Sequence, residues 1–282
     1  MTDDRLRSRR ALAAGTAVIV AVLAGSVLTL THDEPEIGPD HFEPVPTVST
    51  TEPGGLGRAS DATTTTATTT APPGAPLSVL PARTSTVATA RTDVESIELF
   101  PSSDATRATG SLPAEARYGQ RQVLLVLADQ GDRLHVLLPE RPNGSTAWID
   151  AGTVDLTQHG YQIQVAIGAH QLMLQRGDEV LIDTPIAVGT EDTPTVGGDF
   201  YTWVLIDPTN AGYGSYAYGL SGFSTLDDFA GGDGRMAIHG TTDEAGIGGD
   251  VSHGCVRVPD AVAVRMVEEL RLPLGIPVTI RP

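Results

Sequence analysis

Cys255 is the only cysteine in a chain of 282 residues, and two histidines lie close to it in sequence, at 239 and 253. The local sequences are Met236-Ala237-Ile238-His239-Gly240 and Ser252-His253-Gly254-Cys255-Val256-Arg257-Val258, joined by a short polar loop. A thiol beside imidazoles makes an activated nucleophile: the base takes the proton and the sulfur attacks. Glycines at 240 and 254 let the backbone come close to whatever lies there. The backbone amides of Gly254 and Cys255 are natural oxyanion donors, and one such donor stabilises a transition state by about 2.7–4 kcal/mol. This composition predicts cysteine acyl transfer. A metal site built from His239, His253 and Cys255 is a poor alternative, because no Cys-x-x-Cys or His-Glu-x-x-His pair completes a tetrahedral shell. No metal and no cofactor are therefore expected.

The two blocks also carry a resemblance. Ile238-His239-Gly240, a loop, then Ser252-His253-Gly254-Cys255-Val256-Arg257 resembles the signature of the L,D-transpeptidase (YkuD-like) catalytic domain, whose members cross-link bacterial peptidoglycan. Upstream, Thr193-Pro194-Thr195-Val196-Gly197-Gly198-Asp199-Phe200-Tyr201 resembles the family's Thr-Pro-x-Gly-x-Phe segment, with its spacing shifted by the paired glycines. The resemblance spans roughly residues 160 to 281.

The resemblance implies a mostly-β catalytic domain and assigns roles. Cys255 would be the nucleophile and His239 the proton acceptor and donor, its ring oriented by the backbone carbonyl of Gly240. His253 and Gly254 would shape and support the cleft. Arg257 would bind a stem-peptide carboxylate or hold the turn. The partners implied are peptidoglycan stem peptides: a donor tetrapeptide that loses its terminal D-alanine to form a Cys255 thioester, and an acceptor amine that completes a 3–3 cross-link. Attack by water would make the same site an L,D-carboxypeptidase, and attack by a protein amine would anchor that protein to the wall. A wall-binding module without turnover is the remaining alternative.

The elements that must position this site occupy the C-terminal part of the chain. Residues 158–282 read as the catalytic domain, a β-sandwich with one short helix after the cysteine motif. Ile163, Val165 and Ile167 alternate with Gln162, Gln164 and Ala166, which predicts a half-buried strand. Phe200 to Ile206 is rich in β-formers and predicts a central strand. Residues 208–234, dominated by Gly, Ser, Tyr and Asp, read as a long loop over the cleft, with Tyr213, Tyr216 and Tyr218 either facing substrate or anchoring it. Pro259 and Asp260 open a helix whose Ala263, Met266, Val267 and Leu270 face inward.

Ahead of this domain, residues 91–157 read as a small β module, with a hairpin of Val123–Leu127 and Arg133–Leu138 about a turn at 129–132. Its closing strands, near Trp148, resemble those of a bacterial Src-homology-3-like barrel. Residues 32–90 lack periodicity and include a Thr/Pro-rich run, so they predict a disordered stalk. Residues 1–10 carry four arginines, and Ala11 to Leu30 runs 20 residues without a charge. That predicts a membrane anchor over 11–31 with the catalytic domain on the extracytoplasmic side, or a secreted protein after signal-peptide cleavage. All 18 basic residues are arginine and the formal charge is −17, which argues against nucleic-acid binding. A single cysteine leaves no internal disulfide.

Overall fold

The computed structural model describes residues 42–44, 76–208, 211–229 and 232–282. The expected membrane anchor at 11–31 lies outside the described residues, as does most of the expected stalk. Among the described residues, no helix is long and apolar enough to cross a membrane. A short strand, β1 (Phe42–Pro44), precedes the two sheets that build the described chain.

The first sheet uses β2 (Ser85–Ala90), β5 (Val123–Asp129), β6 (Arg133–Leu137), β7 (Thr146–Asp150) and β8 (Val154–His159), with β3 (Ser96–Leu99) and β4 (Gly110–Pro113) forming a separate hairpin. Its order is β7-β6-β5-β2-β8, antiparallel throughout. Ile97, Leu112, Leu124, Leu134 and Ile149 fill a core of its own. The β5–β6 hairpin matches the sequence reading, and Gly131 N–H donates to Asp129 Oδ1 at 2.8 Å to close its turn. His135 stacks on Trp148 at 5.0 Å across the β6–β7 pair, a packing role.

Strand β2 corrects the stalk boundary, since Ser85–Ala90 falls within the stretch expected to be disordered. Ser-Thr-Val-Ala-Thr-Ala holds little apolar bulk, so it reads as linker. Between two neighbouring strands that bulk is unnecessary: Ala88 is fully buried with β5 on one side and β8 on the other.

The second sheet contains β9 (Tyr161–Ala166), β10 (Gln171–Arg176), β11 (Glu179–Pro185), β13 (Gly198–Pro208), β14 (Ala217–Phe223), β15 (Arg235–Thr241), β17 (Val256–Pro259) and β18 (Pro277–Arg281). A parallel pair, β12 (Val188–Gly189) and β16 (Asp250–Ser252), stands beside it. The order is β11-β10-β9-β18-β13-β14-β15-β17, and β1 pairs with β13 off this path. Strand β13 pairs with β18 through residues 198–201 and with β14 through 202–206, so it serves both arms of the sheet. Val165, Leu172 and Leu174 from one arm share a core with Met236, Ile238, Val256 and Val258 from the other. The mostly-β, two-layer architecture expected from the sequence is therefore present. The helix follows as read: α1 (Asp260–Val264) continues as a wider turn through Glu269, with Ala263 and Met266 buried.

Two features depart from the sequence pattern. The glutamines of β9 do not face water. Gln162, Gln164 and Gln175 are buried, and their amides bind the backbone of residues 78–81. Gln175 is bidentate to Leu80, donating to its carbonyl at 2.9 Å and accepting from its N–H at 2.9 Å. The segment entering β2 thus runs over the second face of the strand, which is buried on both sides.

The stretch 208–234 is not one loop, because β14 lies inside it with every residue buried. Its glycines concealed it. A Cβ on Gly222 would sit 2.3 Å from the Phe200 ring, and one on Gly219 would sit 2.8 Å from Val204 Cγ2. The bulky side chains of β13 fill the space that β14 leaves empty.

The two sheets are joined by side chains that bond main chain. Gln120 donates to the Leu205 carbonyl at 2.7 Å and accepts from its N–H at 3.1 Å. Asn143 does the same to Phe223, at 2.8 and 2.9 Å. Tyr201 donates its hydroxyl to the Val123 carbonyl at 3.1 Å. Leu125 and Leu137 pack with Tyr201, Trp203 and Ile206 in a shared apolar cluster.

Candidate active site

Strands β15 and β17 lie side by side and parallel, with His239 opposite Arg257. Cys255 sits just before β17, so parallel pairing carries the thiol to the neighbourhood of Ala237 and His239. The motif's two blocks, separated in sequence by the loop, become adjacent strand ends.

His239 is 1 % exposed. Its Nδ1–H donates to the Gly240 carbonyl at 2.6 Å. A carbonyl can only accept, so this bond fixes the tautomer and leaves the lone pair on Nε2. Nε2 is buried with no hydrogen-bond partner among the described residues. Burial lowers the His239 pKa to about 4, against the opposing pull of the Gly240 carbonyl. The ring of Tyr213 covers the imidazole, with centroids 4.6 Å apart. The Gly240 role expected from the resemblance is thus matched by the observed bond. Gly240 must also be glycine, because a Cβ there would meet Asp260 Oδ1 at 2.3 Å.

The Cys255 thiol likewise favours its neutral form. Burial raises its pKa to about 11, and a backbone hydrogen bond from Ala237 pulls it down in part. At neutral pH the resting site therefore holds a neutral thiol and a neutral imidazole, not an ion pair. A neutral pair of this kind is chemically suited to general-base removal of the proton during attack.

The turn carrying the thiol is pinned by Ser252, which is fully buried. Its hydroxyl donates to the Cys255 carbonyl at 2.6 Å and accepts from Gly254 N–H at 3.1 Å. This corrects one expectation: the Gly254 amide is engaged within the turn and is not aimed at a substrate oxygen. Gly254 is required for shape. Its φ is +111°, and a Cβ would sit 2.9 Å from Ser224 Cβ.

His253 stacks on Phe229 at 4.8 Å and forms cavity wall, consistent with the supporting role expected of it. Arg257 lies on β17, two residues after the thiol. It is 6 % exposed and lies outside the cavity wall, while its N–H and carbonyl bond Ala187, each at 2.9 Å. In the parallel register Arg257 stands opposite His239, so the two side chains leave the same face of the β15–β17 pair.

The loop ahead of β14 is tied down by Asp260, at the start of α1. The Asp260 carboxylate accepts from Ser215 N–H at 2.6 Å and from the Ser215 hydroxyl at 2.8 Å. Gly214 makes this approach feasible, with φ +64° and no room for a Cβ. Of the three tyrosines, Tyr213 faces the site, while Tyr216 bonds Glu268 at 3.0 Å and Tyr218 bonds the Leu272 carbonyl at 3.2 Å. One tyrosine therefore covers the chemistry and two anchor.

An open cavity enclosing about 850 Å³, solvent space included, leads to Cys255 past Trp203, Tyr213, Phe229 and Met236. Arg117 and Tyr118, from the other sheet's connecting loop, also line it. Nothing in their local sequence marks them: they sit between β4 and β5 in a stretch without periodicity. Among the described residues, no three of His, Cys, Asp and Glu gather as a metal-binding group.

A family model for the L,D-transpeptidase catalytic domain (YkuD) matches residues 160–280. The L,D-transpeptidase-like YkuD of Bacillus subtilis is 34 % identical over 122 residues, which cover 43 % of this chain and 65 % of that protein. The chain thus matches a little under two thirds of that relative's length. Among solved structures, a cysteine-to-serine variant of Enterococcus faecium L,D-transpeptidase is 22 % identical over 43 % of this chain and 49 % of its own, with a TM-score of 0.33. An L,D-transpeptidase from Mycobacterium smegmatis is 16 % identical over 66 % of this chain and 99 % of its own, with a TM-score of 0.36.

Proposed function

We propose, from the premise that residues 160–280 carry an L,D-transpeptidase catalytic domain, that this protein forms 3–3 cross-links between peptidoglycan stem peptides through a thioester on Cys255. The observation that carries the reading is the His239 tautomer. With Nδ1–H committed to Gly240, Nε2 is the atom left to accept a proton.

In the first half-reaction, Cys255 Sγ attacks the carbonyl carbon between the third residue and the terminal D-alanine of a donor tetrapeptide. The thiol proton passes to His239 Nε2, and from there to the amine of D-alanine as the C–N bond breaks. The Cys255 amide is the proposed donor to the oxyanion, since the Gly254 amide is held by Ser252. In the second half, an acceptor amine attacks the thioester carbon, its proton passes to His239, and the sulfur leaves and is reprotonated. The match of residues 160–280 to the L,D-transpeptidase catalytic domain supports an amine acceptor over water. The reading places the protein at the outer face of the cell membrane, anchored through residues 11–31.

The experiment is incubation of the protein with purified tetrapeptide muropeptide, followed by mass spectrometry, with Cys255→Ala as control. A cross-linked dimer that has lost one D-alanine supports transpeptidation. Tripeptide monomer alone would replace it with the carboxypeptidase reading. No product, with the alanine variant equal to the parent, would remove both.

A further inference from the structure

The small β module supplies part of the catalytic cavity. Arg117 and Tyr118 line the same space as Cys255, Tyr213 and His253. Their loop is not loosely placed, since Gln120 beside them is buried and bonds both main-chain polar groups of Leu205. Tyr118 has φ +62° and ψ +29°. A left-handed conformation is unfavourable for a residue with a Cβ, and glycine would make the turn more easily. The tyrosine ring is held at the wall against that local cost.

The charges point the same way. Among the described residues lining the cavity, the formally charged side chains at neutral pH are Arg117, Asp233 and Arg235. The Asp233 carboxylate meets both guanidinium groups, each at 3.3 Å. Arg235 is otherwise committed. It lies 4.0 Å from the Trp203 ring centre and 4.2 Å from that of Phe223, and it donates to the carbonyls of Leu220 and Pro139. Two cations thus share one anion, and the excess positive charge falls to Arg117, whose side chain is 44 % exposed. The Arg117 charge opposes the rise that burial causes in the Tyr118 pKa. A cationic cavity wall is notable in a chain of net charge −17.

Resting on the acyl-transfer reading above, the geometry points to a subsite, built by Arg117 and Tyr118 of the small module, that receives a carboxylate of the donor stem peptide while Cys255 attacks its amide. Arg117 offers the donors, and Tyr118 gives the peptide an aromatic surface between that charge and the thiol. The module is then a wall of the active site and not a spacer. Its docking through Gln120, Asn143 and Tyr201 is what holds the carboxylate in register with the nucleophile.

The test is calorimetric binding to full-length protein carrying Cys255→Ala, with and without Arg117→Met. The probes are a tetrapeptide stem and two carboxamide forms, one blocked at the terminal carboxylate and one at the side-chain carboxylate of the third residue. Arg117→Met should weaken binding of the free tetrapeptide tenfold or more, and Arg117→Lys should restore most of it. Blocking one of the two carboxylates should weaken the parent by a similar factor and leave Arg117→Met unaffected, which identifies the carboxylate engaged. Equal losses for all three peptides in Arg117→Met would make its role structural and overturn the subsite. So would unchanged binding, or no binding by the parent. If Arg117→Met fails to fold, Arg117→Lys and the blocked peptides carry the comparison on the parent. D-alanine release is measured separately with Cys255 intact. Carboxylate-dependent binding without release would sink the transfer reading and leave the subsite standing.

Discussion

The ring of Tyr213 lies 4.6 Å from the imidazole of His239, tilted by 32°. The same tyrosine lines the cavity that contains Cys255, and burial above all raises its own pKa. One ring therefore covers the imidazole and walls the cavity that holds the thiol. The loop that carries it is clamped by Asp260, which immediately follows the strand downstream of the nucleophile. Nucleophile and roof are thus fixed to one segment of chain.

Removing the roof should expose the thiol. Tyr213→Ala is expected to bring the Cys255 pKa from about 11 down toward the free value of about 8.5. Iodoacetamide alkylation at pH 8 should then speed up at least tenfold while cross-linking falls. An unchanged alkylation rate would show that other groups desolvate the sulfur.

The pH dependence of the parent separates a neutral pair from an ion pair. With a thiol pKa of about 11, roughly one site in ten thousand is thiolate at pH 7. Alkylation should climb steadily above pH 8 without a plateau near neutrality. A plateau with an inflexion between pH 4 and 6 would mean a thiolate–imidazolium pair and contradict the neutral resting state.

Two buried histidines make the fold sensitive to acid. Burial lowers the pKa of His159 and of His239 to about 4, from an ordinary 6.5. Each is neutral in the fold where the unfolded chain would be protonated. Their contribution is fully present above pH 6.5, declines as pH falls toward 4, and is gone below that. Urea midpoints should drop from pH 7 to pH 4.5. His159→Asn, which keeps an acceptor for the Tyr161 N–H, should flatten the slope. A parallel slope in the variant would assign the loss to carboxylates.

Asp260 is a clamp more than a helix cap. Its two bonds to Ser215 are charge-assisted, a class in which one bond contributes about 1.5–3 kcal/mol. Asp260→Ala should cut turnover about tenfold and lower Tm by several degrees. Ser215→Ala, which keeps the main-chain donor, should cost less on both counts. Equal effects from the two variants would point to helix damage instead.

Strand β14 tolerates no Cβ at Gly222. Gly222→Ala should destabilise by about 1–3 kcal/mol, the usual cost of overpacking a filled core. Adding Phe200→Leu should recover part of that loss, so that the double variant is less damaged than the two single costs predict. Strict additivity, read from chemical denaturation, would show that the Phe200 ring is not the obstacle.

The cysteine and histidine blocks proposed to react were legible in sequence because they rest on short-range facts: residue types, spacing, and glycines needed for close approach. The alternating strands, the β5–β6 hairpin and the inward face of the helix after Pro259 were legible for the same reason, since periodicity is local. What failed were inferences that depended on a partner far along the chain. The glutamines of β9 looked solvated, and they are buried because residues 78–81 bind them. Strand β14 looked like a loop, and it is a strand because Phe200 and Val204 occupy the space its glycines leave. Arg117 and Tyr118 carried no signal, because their place at the cavity is set by Gln120 bonding Leu205, 85 residues away. A sequence states which groups can react and which backbone paths are open. Tertiary packing decides which groups share a cavity, because burial, and with it protonation, belongs to the neighbours.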